Sequence, residues 1–588
     1  MRLSAVQRAA VQHADSVALT ACPGSGKTRA LVAKVVEALD AVRGSTRRIA
    51  AITYTNAAAR EAEARLSAVV SEPDLEYVEF GTIHSYCLRR ILGPHHWRLP
   101  EWSNGFAIAA PDSQEFRTAA KAVVNHYMKG NSGRDKAYAL DAIEKVNRLP
   151  NGHPIMDWPL TDNMVLGFWR LLRHSGCLDF CSLLYWSLVV LDRHEDIAVG
   201  LAARNCWYIV DEFQDTNDLQ MAILSHIREQ NRSRFFIVGD PCQSIFRFAG
   251  ARPGNLRDFA KEVGARRDLK MVENFRSSTP IIEVAERLLR RSPPMVAAGP
   301  NATVSERVHY YRVGNTVDAL VQKFVKRVDA LGISRGETAV LAPWFWPLYS
   351  VGAGLRRAGV QTLGPGSRPY RGSHVMARFA EVVASDVSKM SPANRPYLVH
   401  LLHDIALTAT GTESSQLRGR VGRLVVQRII RRTGEGYQGK SSGLQWLDVL
   451  ADVVVESTET CGAGLPDSFQ ALVRSSVENM KSEIRSRHDS PDELTVADIG
   501  DFVSGNDRVR LMTVHASKGR EFDAVAIVHV NDGRFPHFAA ETHEDIEDSR
   551  RALYVAVTRA RKLLMVFSDT EDWRNRPSPF LREMGLCD

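Results

Sequence analysis

The chain has few cysteines for its 588 residues, and they are scattered. Cys177 and Cys181 are the only close pair among the eight, so no second pair completes a zinc or iron–sulfur ligand set. The pattern reads as buried, reduced thiols rather than a disulfide framework. No apolar run approaches the length of a bilayer span, which excludes a membrane partner by insertion. The opening Met1-Arg2-Leu3-Ser4 leads straight into a helical pattern without signal-peptide architecture, so a cytoplasmic protein is expected. Short-period repeats and long Gly/Ser linkers are also missing; Gly364-Pro365-Gly366-Ser367 and Gly434-Glu435-Gly436 read as loops.

What is present is an ordinary globular composition, 44% hydrophobic and 24% charged, in a length that argues for several domains. A net charge of +7 and a pI near 8.9 lean toward a polyanionic partner.

The segment Ala21-Cys22-Pro23-Gly24-Ser25-Gly26-Lys27-Thr28 follows the apolar run Ser16-Val17-Ala18-Leu19-Thr20 and precedes a helical pattern from Arg29 to Leu39. Strand, glycine-rich loop and helix in that order are what a phosphate-binding loop requires. The glycines let backbone N–H groups turn inward around phosphate oxygens. The helix N-terminus adds positive dipole, Lys27 a full charge, and the Thr28 hydroxyl can hold Mg2+. Ala21 stands where the usual first glycine stands. Asp211-Glu212 follows the apolar strand Trp207–Val210, so that one carboxylate can coordinate Mg2+ and the next polarise an attacking water.

Around these motifs the pattern alternates. Ile49–Thr55 reads as a buried strand, Ala57–Val70 as a helix, and Glu79–Thr82 as a short strand before a helix from His84 to Leu92. Cys206–Val210 and Arg234–Val238 are two more buried strands, ending in Asp211-Glu212 and Gly239-Asp240, where open parallel sheets place ligands. A second alternating region begins near Thr279 and includes Thr338–Ala342, Val509–Thr513 and Ala524–Val528. Residues 96–200 and 386–498 are rich in helix formers; the latter carries the cluster Arg418, Arg420, Arg423, Arg428, Arg431 and Arg432, readable as a duplex-binding face or as a solvated one. The expected fold is α/β: a first core of 1–95 and 201–278 interrupted by a helical domain at 96–200, and a second core of 279–385 and 499–588 interrupted by a compact helical domain at 386–498.

The motifs, taken together and in order, resemble the UvrD/Rep family of superfamily 1 DNA helicases over nearly the whole chain. Leu3-Ser4-Ala5-Val6-Gln7-Arg8-Ala9-Ala10-Val11 resembles its Q motif, and Ala21–Thr28 is its phosphate loop. Ile52-Thr53-Tyr54-Thr55-Asn56 and Gly81-Thr82-Ile83-His84-Ser85 resemble its first two single-strand DNA motifs. Val210–Asn217 is close to its paired-acid string, and Val238–Phe246 to its coupling motif. Glu273-Asn274-Phe275-Arg276-Ser277-Ser278, Leu511–Phe522 and Ala552–Ala560 complete the set.

The resemblance implies two RecA-like P-loop NTPase cores that use ATP and Mg2+. Catalysis would fall to Lys27, Asp211, Glu212, Gln243 and two arginine fingers, Arg276 and Arg559, with Thr28 and Asp211 on the metal. Nucleotide contacts would come from Gln7 and Phe275 on adenine, from Ala21 to Thr28 and Arg29 on the phosphates, and from Gly519 and Glu521 near the ribose. Single-stranded DNA would meet Tyr54, Thr55, Asn56, His84, Phe246, Phe248 and His515. Phe248 stands where many members have tryptophan, and Ala249 where many have arginine; Arg247 is the candidate to replace that cation.

The expected activity is 3′ to 5′ translocation on single-stranded DNA and at single/double-strand junctions, coupled to unwinding in repair, recombination or defence. Short members of the family also stand beside an OLD-type nuclease in phage-defence operons, as in Gabija systems. That makes an ATP- and DNA-sensing regulatory subunit for a partner nuclease the alternative. Nothing in the residues themselves tests for a 2′-hydroxyl, so an RNA-directed NTPase stays open at this stage.

Overall fold

The computed structural model describes residues 3–587 apart from 157, 365–368, 373, 389–394, 411–413, 436, 438–441, 488–490, 503–506 and 571–575. The loops read at 364–367 and 434–436 fall partly outside the described residues, as does the Arg418 side chain. The chain divides into two compact units, Met1–Tyr86 with Leu191–Ser367 and Asn506–Asp588, and Cys87–Val190 with Arg368–Gly505.

The first unit contains two six-stranded sheets in which all pairings are parallel. The first is built from β1 (Val17–Ala21), β2 (Arg48–Thr53), β3 (Val78–Thr82), β4 (Asn205–Val210), β5 (Arg234–Gly239) and β6 (Lys270–Met271), in the order β6-β1-β5-β4-β2-β3. Helices cover both faces, so β1, β4 and β5 are apolar almost throughout rather than alternating. The chain lays β1 down, runs outward to β2 and β3, then returns through β4 and β5. The carboxyl ends of β1, β5 and β4 therefore lie side by side, with those of β2 and β3 next in line. Such a reversal in strand order opens a crevice at the strand ends.

The second sheet is built from β7 (His309–Val313), β8 (Thr338–Ala342), β9 (Thr362–Leu363), β10 (Val509–Thr513), β11 (Phe522–Ile527) and β12 (Ala560–Asp569), in the order β7-β12-β11-β8-β10-β9. Its core of Val340, Leu511, Ala526, Leu563 and Phe567 is buried under Leu320, Phe324, Leu348 and Leu355. The helix read from His84 to Leu92 is not uniform: Ile83–Tyr86 is α-helical and Cys87–Leu92 is a wider π-helical stretch, a break that often accompanies functional sites.

The second unit is mainly helical. Gln114–Tyr127 and Asp162–His174 pack around Phe116, Phe168 and Trp169, and Arg395–Thr410, Arg420–Gly434, Gly443–Thr460 and Asp467–Arg487 form the rest. A buried polar joint ties its two chain segments: His374 Nδ1 lies 2.7 Å from Asp112 Oδ1, Val375 N donates to Asp112 Oδ2 at 2.9 Å, and Ser476 Oγ to the same oxygen at 3.2 Å. In the arginine cluster, Arg428 meets Glu456 at 2.7 Å and Arg432 lies 3.4 Å from Glu435, while Arg420 and Arg423 are exposed. No helix among the described residues is long and apolar enough to cross a membrane.

Candidate nucleotide site and single-strand cluster

The loop after β1 is held from inside. Ser25 Oγ donates to Cys22 O at 2.6 Å, Cys22 N to Met271 O at 2.9 Å, and Gln7 Nε2 to Ser25 O at 2.9 Å. Gln7 is buried, and its Oε1 accepts from Ser4 N at 2.9 Å as half of a capping box. Its amide thus braces the loop. Burial pushes the Cys22 thiol up to about 12, so it is an inert wall beside Ala21 and Pro23.

Gly24 takes φ +68°, and a Cβ there would stand 2.5 Å from Arg276 Cβ. Gly26 takes φ +82° at the N-cap of the helix Lys27–Leu39, and a Cβ would approach Gln7 Nε2 to 2.9 Å. Both positions need glycine for conformation and for space. Thr28 sits half-buried in the first turn, and Arg29 points outward, exposed.

Lys27 Nζ lies 3.0 Å from Glu212 Oε1. Burial alone would lower the Lys27 pKa, but Glu212, Asp240 and Asp211 outweigh it and raise the value. Asp211 and Glu212 leave the end of β4 together, Glu212 in the left-handed region at φ 51°. Burial, then the charge of Glu212, raises the Asp211 pKa. Burial works the same way on Glu212, but Lys27 and Lys518 overcome it and keep that carboxylate ionised. Gln214 links the next strand end: its Nε2 donates to Glu212 Oε2 at 2.5 Å and its Oε1 accepts from Asp240 N at 2.8 Å.

Asp240, fully buried, orients Gln243, whose Nε2 donates to Asp240 Oδ2 at 2.6 Å. Gln243 Oε1 accepts from Arg559 Nη2 at 2.9 Å. Arg559 is buried and further held by Val555 O at 3.0 Å and Arg520 O at 3.2 Å. Arg276 sits on a turn that Asn274 organises by accepting from Arg276 N and Ser277 N. Its Nε meets Glu521 Oε2 at 2.5 Å and its Nη1 donates to Thr558 O at 3.1 Å. Phe275 is half-buried and its N donates to Gly24 O at 3.0 Å, so the arginine turn and the phosphate loop touch through their backbones. Glu521 also takes Arg561 at 2.9 Å, and Gly519 is exposed at φ +80°.

Besides Gln214, Asp240 and Asn274, the residues Arg291, Lys518 and Asp215 carry no role read from the sequence. Arg291 Nη1 donates to Asp240 Oδ1 at 2.7 Å, and its Nη2 reaches Ala21 O at 3.3 Å. Lys518 Nζ donates to both oxygens of Asp215, at 2.8 and 2.5 Å, and to Gln243 O at 2.5 Å. Lys518 and Asp215 lie inside motif strings; Arg291 lies in a plain irregular segment, Arg290-Arg291-Ser292, with no signal that could have found it.

Four candidate DNA residues converge. Tyr54 stacks on Phe246 at 4.9 Å and 26°, Phe246 meets Phe248 at 5.9 Å, and His515 lies 5.5 Å from Phe248 and 6.0 Å from Phe246. Tyr54 and Phe248 are exposed on this cluster. Burial lowers the pKa of His515, giving a neutral ring beside the cationic Lys518, 5.1 Å above Phe246. Thr55 caps the helix Asn56–Ser67 by accepting from Ala58 N at 3.1 Å, and Asn56 is exposed in its first turn. His84 stands past the end of β3, half-buried, and burial lowers it to about 4. Arg247, the candidate to replace the missing cation, is engaged by Asp545, Asp548 and Glu544.

A glycine-rich loop after β1, paired acids at a neighbouring strand end, and Arg276 and Arg559 close to both are arranged as in P-loop proteins. Residues 3–264 match the UvrD/REP helicase N-terminal domain and residues 489–571 the UvrD-like helicase C-terminal domain, together more than half of the chain. The chain belongs to the UvrD/Rep helicase family. It is 26% identical to ATP-dependent DNA helicase UvrD1 of Mycobacterium tuberculosis over 99% of this chain and 85% of that protein. It is 24% identical to ATP-dependent DNA helicase Rep of Escherichia coli over 100% of this chain and 95% of that protein. It is 25% identical to ATP-dependent DNA helicase PcrA of Staphylococcus epidermidis over 95% of this chain and 83% of that protein.

Proposed function

We propose that the chain is an ATP-dependent DNA helicase that moves 3′ to 5′ along a single strand. The observation that carries this reading is the placement of Arg276 and Arg559 against the Gly24 loop and Gln243. Lys27 supplies charge from one sheet, and two guanidiniums supply it from the segments around the other. Negative charge on a transferring phosphoryl group is what such a set stabilises. Burial, then the neighbouring Arg276, lowers the Arg559 pKa, which a bound anion beside it would offset. Glu212, kept ionised, is suited to orient the attacking water, and Gln243 to sense it, since an amide both donates and accepts.

Thr28 and Asp211 would hold Mg2+. One hydroxyl and one carboxylate are a hard-oxygen set that leaves the remaining positions to phosphate and water, which suits this ion. When bound, Mg2+ neutralises phosphate charge. Gln7, here a brace, and Phe275 and Glu521 flank the space for base and ribose. Tyr54, Phe246, Phe248 and His515 would stack DNA bases while Thr55, Asn56 and His84 line the same strand ends. The two sheets read as RecA-like cores, with 96–200 and 386–498 as their insertions.

The helicase relatives support a motor over a subunit that only licenses a partner nuclease. Strand displacement on duplexes with a 3′ or a 5′ single-stranded tail tests the proposal. ATP-dependent displacement of the 3′-tailed substrate is expected; ATPase without displacement on either would favour the nuclease-switch alternative.

A further inference from the structure

A buried cation that the proposed site does not use stands behind the phosphate loop. Lys34 lies in the helix Lys27–Leu39, and its side chain is fully buried. Lysine is almost never buried without partners, because a bare ammonium in the interior is unfavourable. Here its Nζ donates to Val11 O at 3.0 Å, to His13 O at 3.1 Å and to Glu37 Oε2 at 2.7 Å. An ammonium has three N–H donors, and each has an acceptor. The Trp207 ring of β4 lies 3.8 Å from the same nitrogen and covers a further side.

Two of these acceptors give the contact a direction. Val11 ends the helix Ala5–Val11, and His13 follows it. The last carbonyls of a helix have no partner within it, and a positive charge suits that end of the dipole. The opposite end of the same helix carries Gln7, whose Nε2 donates to Ser25 O at 2.9 Å. The contacts therefore close a ring. It runs from Ser25 through Gly26 into the helix that starts at Lys27, across Lys34 to the helix Ala5–Val11, and through Gln7 back to Ser25. A helix of seven residues has little stability of its own, so its position depends on such anchors. Gln7 is 1% exposed with its amide on the loop, so the support acts on the loop's shape. A loop already held in its binding shape loses less freedom when the ligand arrives.

We infer that Lys34 is a positioning residue for the phosphate loop, which it holds through the helix Ala5–Val11 and Gln7. This rests on the reading of Ala21–Thr28 as the nucleotide site and deepens it.

The test is steady-state ATPase of the full chain at saturating single-stranded DNA, for wild type, K34M, K34R, Q7A and K34M/Q7A, with thermal melting as a check on folding. A hydrogen bond from a charged group is worth about tenfold in an equilibrium constant. K34M should raise KM for ATP by about that factor with little change in kcat, because the loop binds substrate and transition state alike. K34R keeps donors for both carbonyls and should stay near wild type. K34M/Q7A should be no worse than Q7A, because both substitutions open the same ring. If K34M does not fold, K34Q, which keeps N–H donors without the charge, takes its place in the same comparison. An unchanged KM in the folded variant, or effects of the two substitutions that multiply, would overturn the inference and leave Lys34 as a core contact. A wild type without ATPase would overturn the reading of the nucleotide site, and the inference with it.

Discussion

Arg559 Nη2 donates to Gln243 Oε1 at 2.9 Å, joining the end of a helix beside the second sheet to the loop after β5 of the first. Asp240 fixes the other end of the same amide. The Gln243 side chain therefore bridges the end of β5 and the segment that leads into β12. An arginine that stabilises transferring phosphoryl charge is worth about 10³–10⁵ in turnover. Arg559→Ala should lose activity in that range with a much smaller change in KM for ATP. Arg559→Lys should rescue little, because an ammonium cannot serve Val555 O, Arg520 O and Gln243 Oε1 together. Steady-state ATPase measurements separate the two parameters.

Arg291 and Asp240 form an ion pair with both side chains buried. Removing one partner from such a pair costs about 3–5 kcal/mol, because the other charge is left without compensation. Arg291→Met should lower the thermal midpoint and reduce turnover through a misplaced Gln243. Adding Asp240→Asn should restore part of the stability but not the turnover. Melting curves that are additive for the two substitutions would contradict the coupling.

Phe246 stands between Tyr54 and Phe248. Phe246→Ala should weaken single-strand binding by about tenfold or more, since it removes the ring on which Tyr54 stacks and which Phe248 meets edge-on. Phe248→Trp should tighten binding by adding stacking area. Anisotropy titrations at a fixed salt concentration measure both; salt must be fixed because phosphate contacts depend on it.

In the second unit, His374 sits between Asp112 at 2.7 Å and Glu483 at 3.2 Å, with Arg117 and Arg371 on the outer sides of those acids. Burial alone would lower its pKa, but the two carboxylates overcome this and raise it from 6.5 to about 9. A raised histidine contributes stability that is fully present below about 6.5, its unfolded value, and is lost as pH rises through about 9. The melting temperature of the wild type should fall over that window more steeply than that of His374→Gln. Parallel slopes in the two proteins would show that the joint does not titrate.

Much of the fold is legible because parallel strands buried on both faces appear as apolar runs. Val509–Thr513 and Thr338–Ala342 have the bounds that the sequence suggests, and Asn205–Val210 and Arg234–Gly239 differ by a residue. The two-residue strands β6 and β9 carry no periodicity and are invisible until their neighbours are in place. The break at Cys87 is equally silent, because the π-helical stretch keeps a helical composition. In the site, Lys27, Asp211, Gln243 and Arg276 are legible from local strings. The burial of Gln7, the engagement of Arg247 by three acids, and the roles of Arg291 and of Asp112 beside His374 depend on partners far along the chain. No local pattern encodes those.

The central claim, that the cleft around Lys27 and Glu212 hydrolyses ATP in response to a single DNA strand, is tested most directly by ATPase rates with no nucleic acid, with oligothymidylate and with oligouridylate. The wild type should be strongly stimulated by the DNA oligomer and weakly by the RNA. Lys27→Ala and Glu212→Gln should fall to background while still binding the strand. Full turnover in either variant, or a wild-type rate indifferent to single-stranded DNA, would contradict the account.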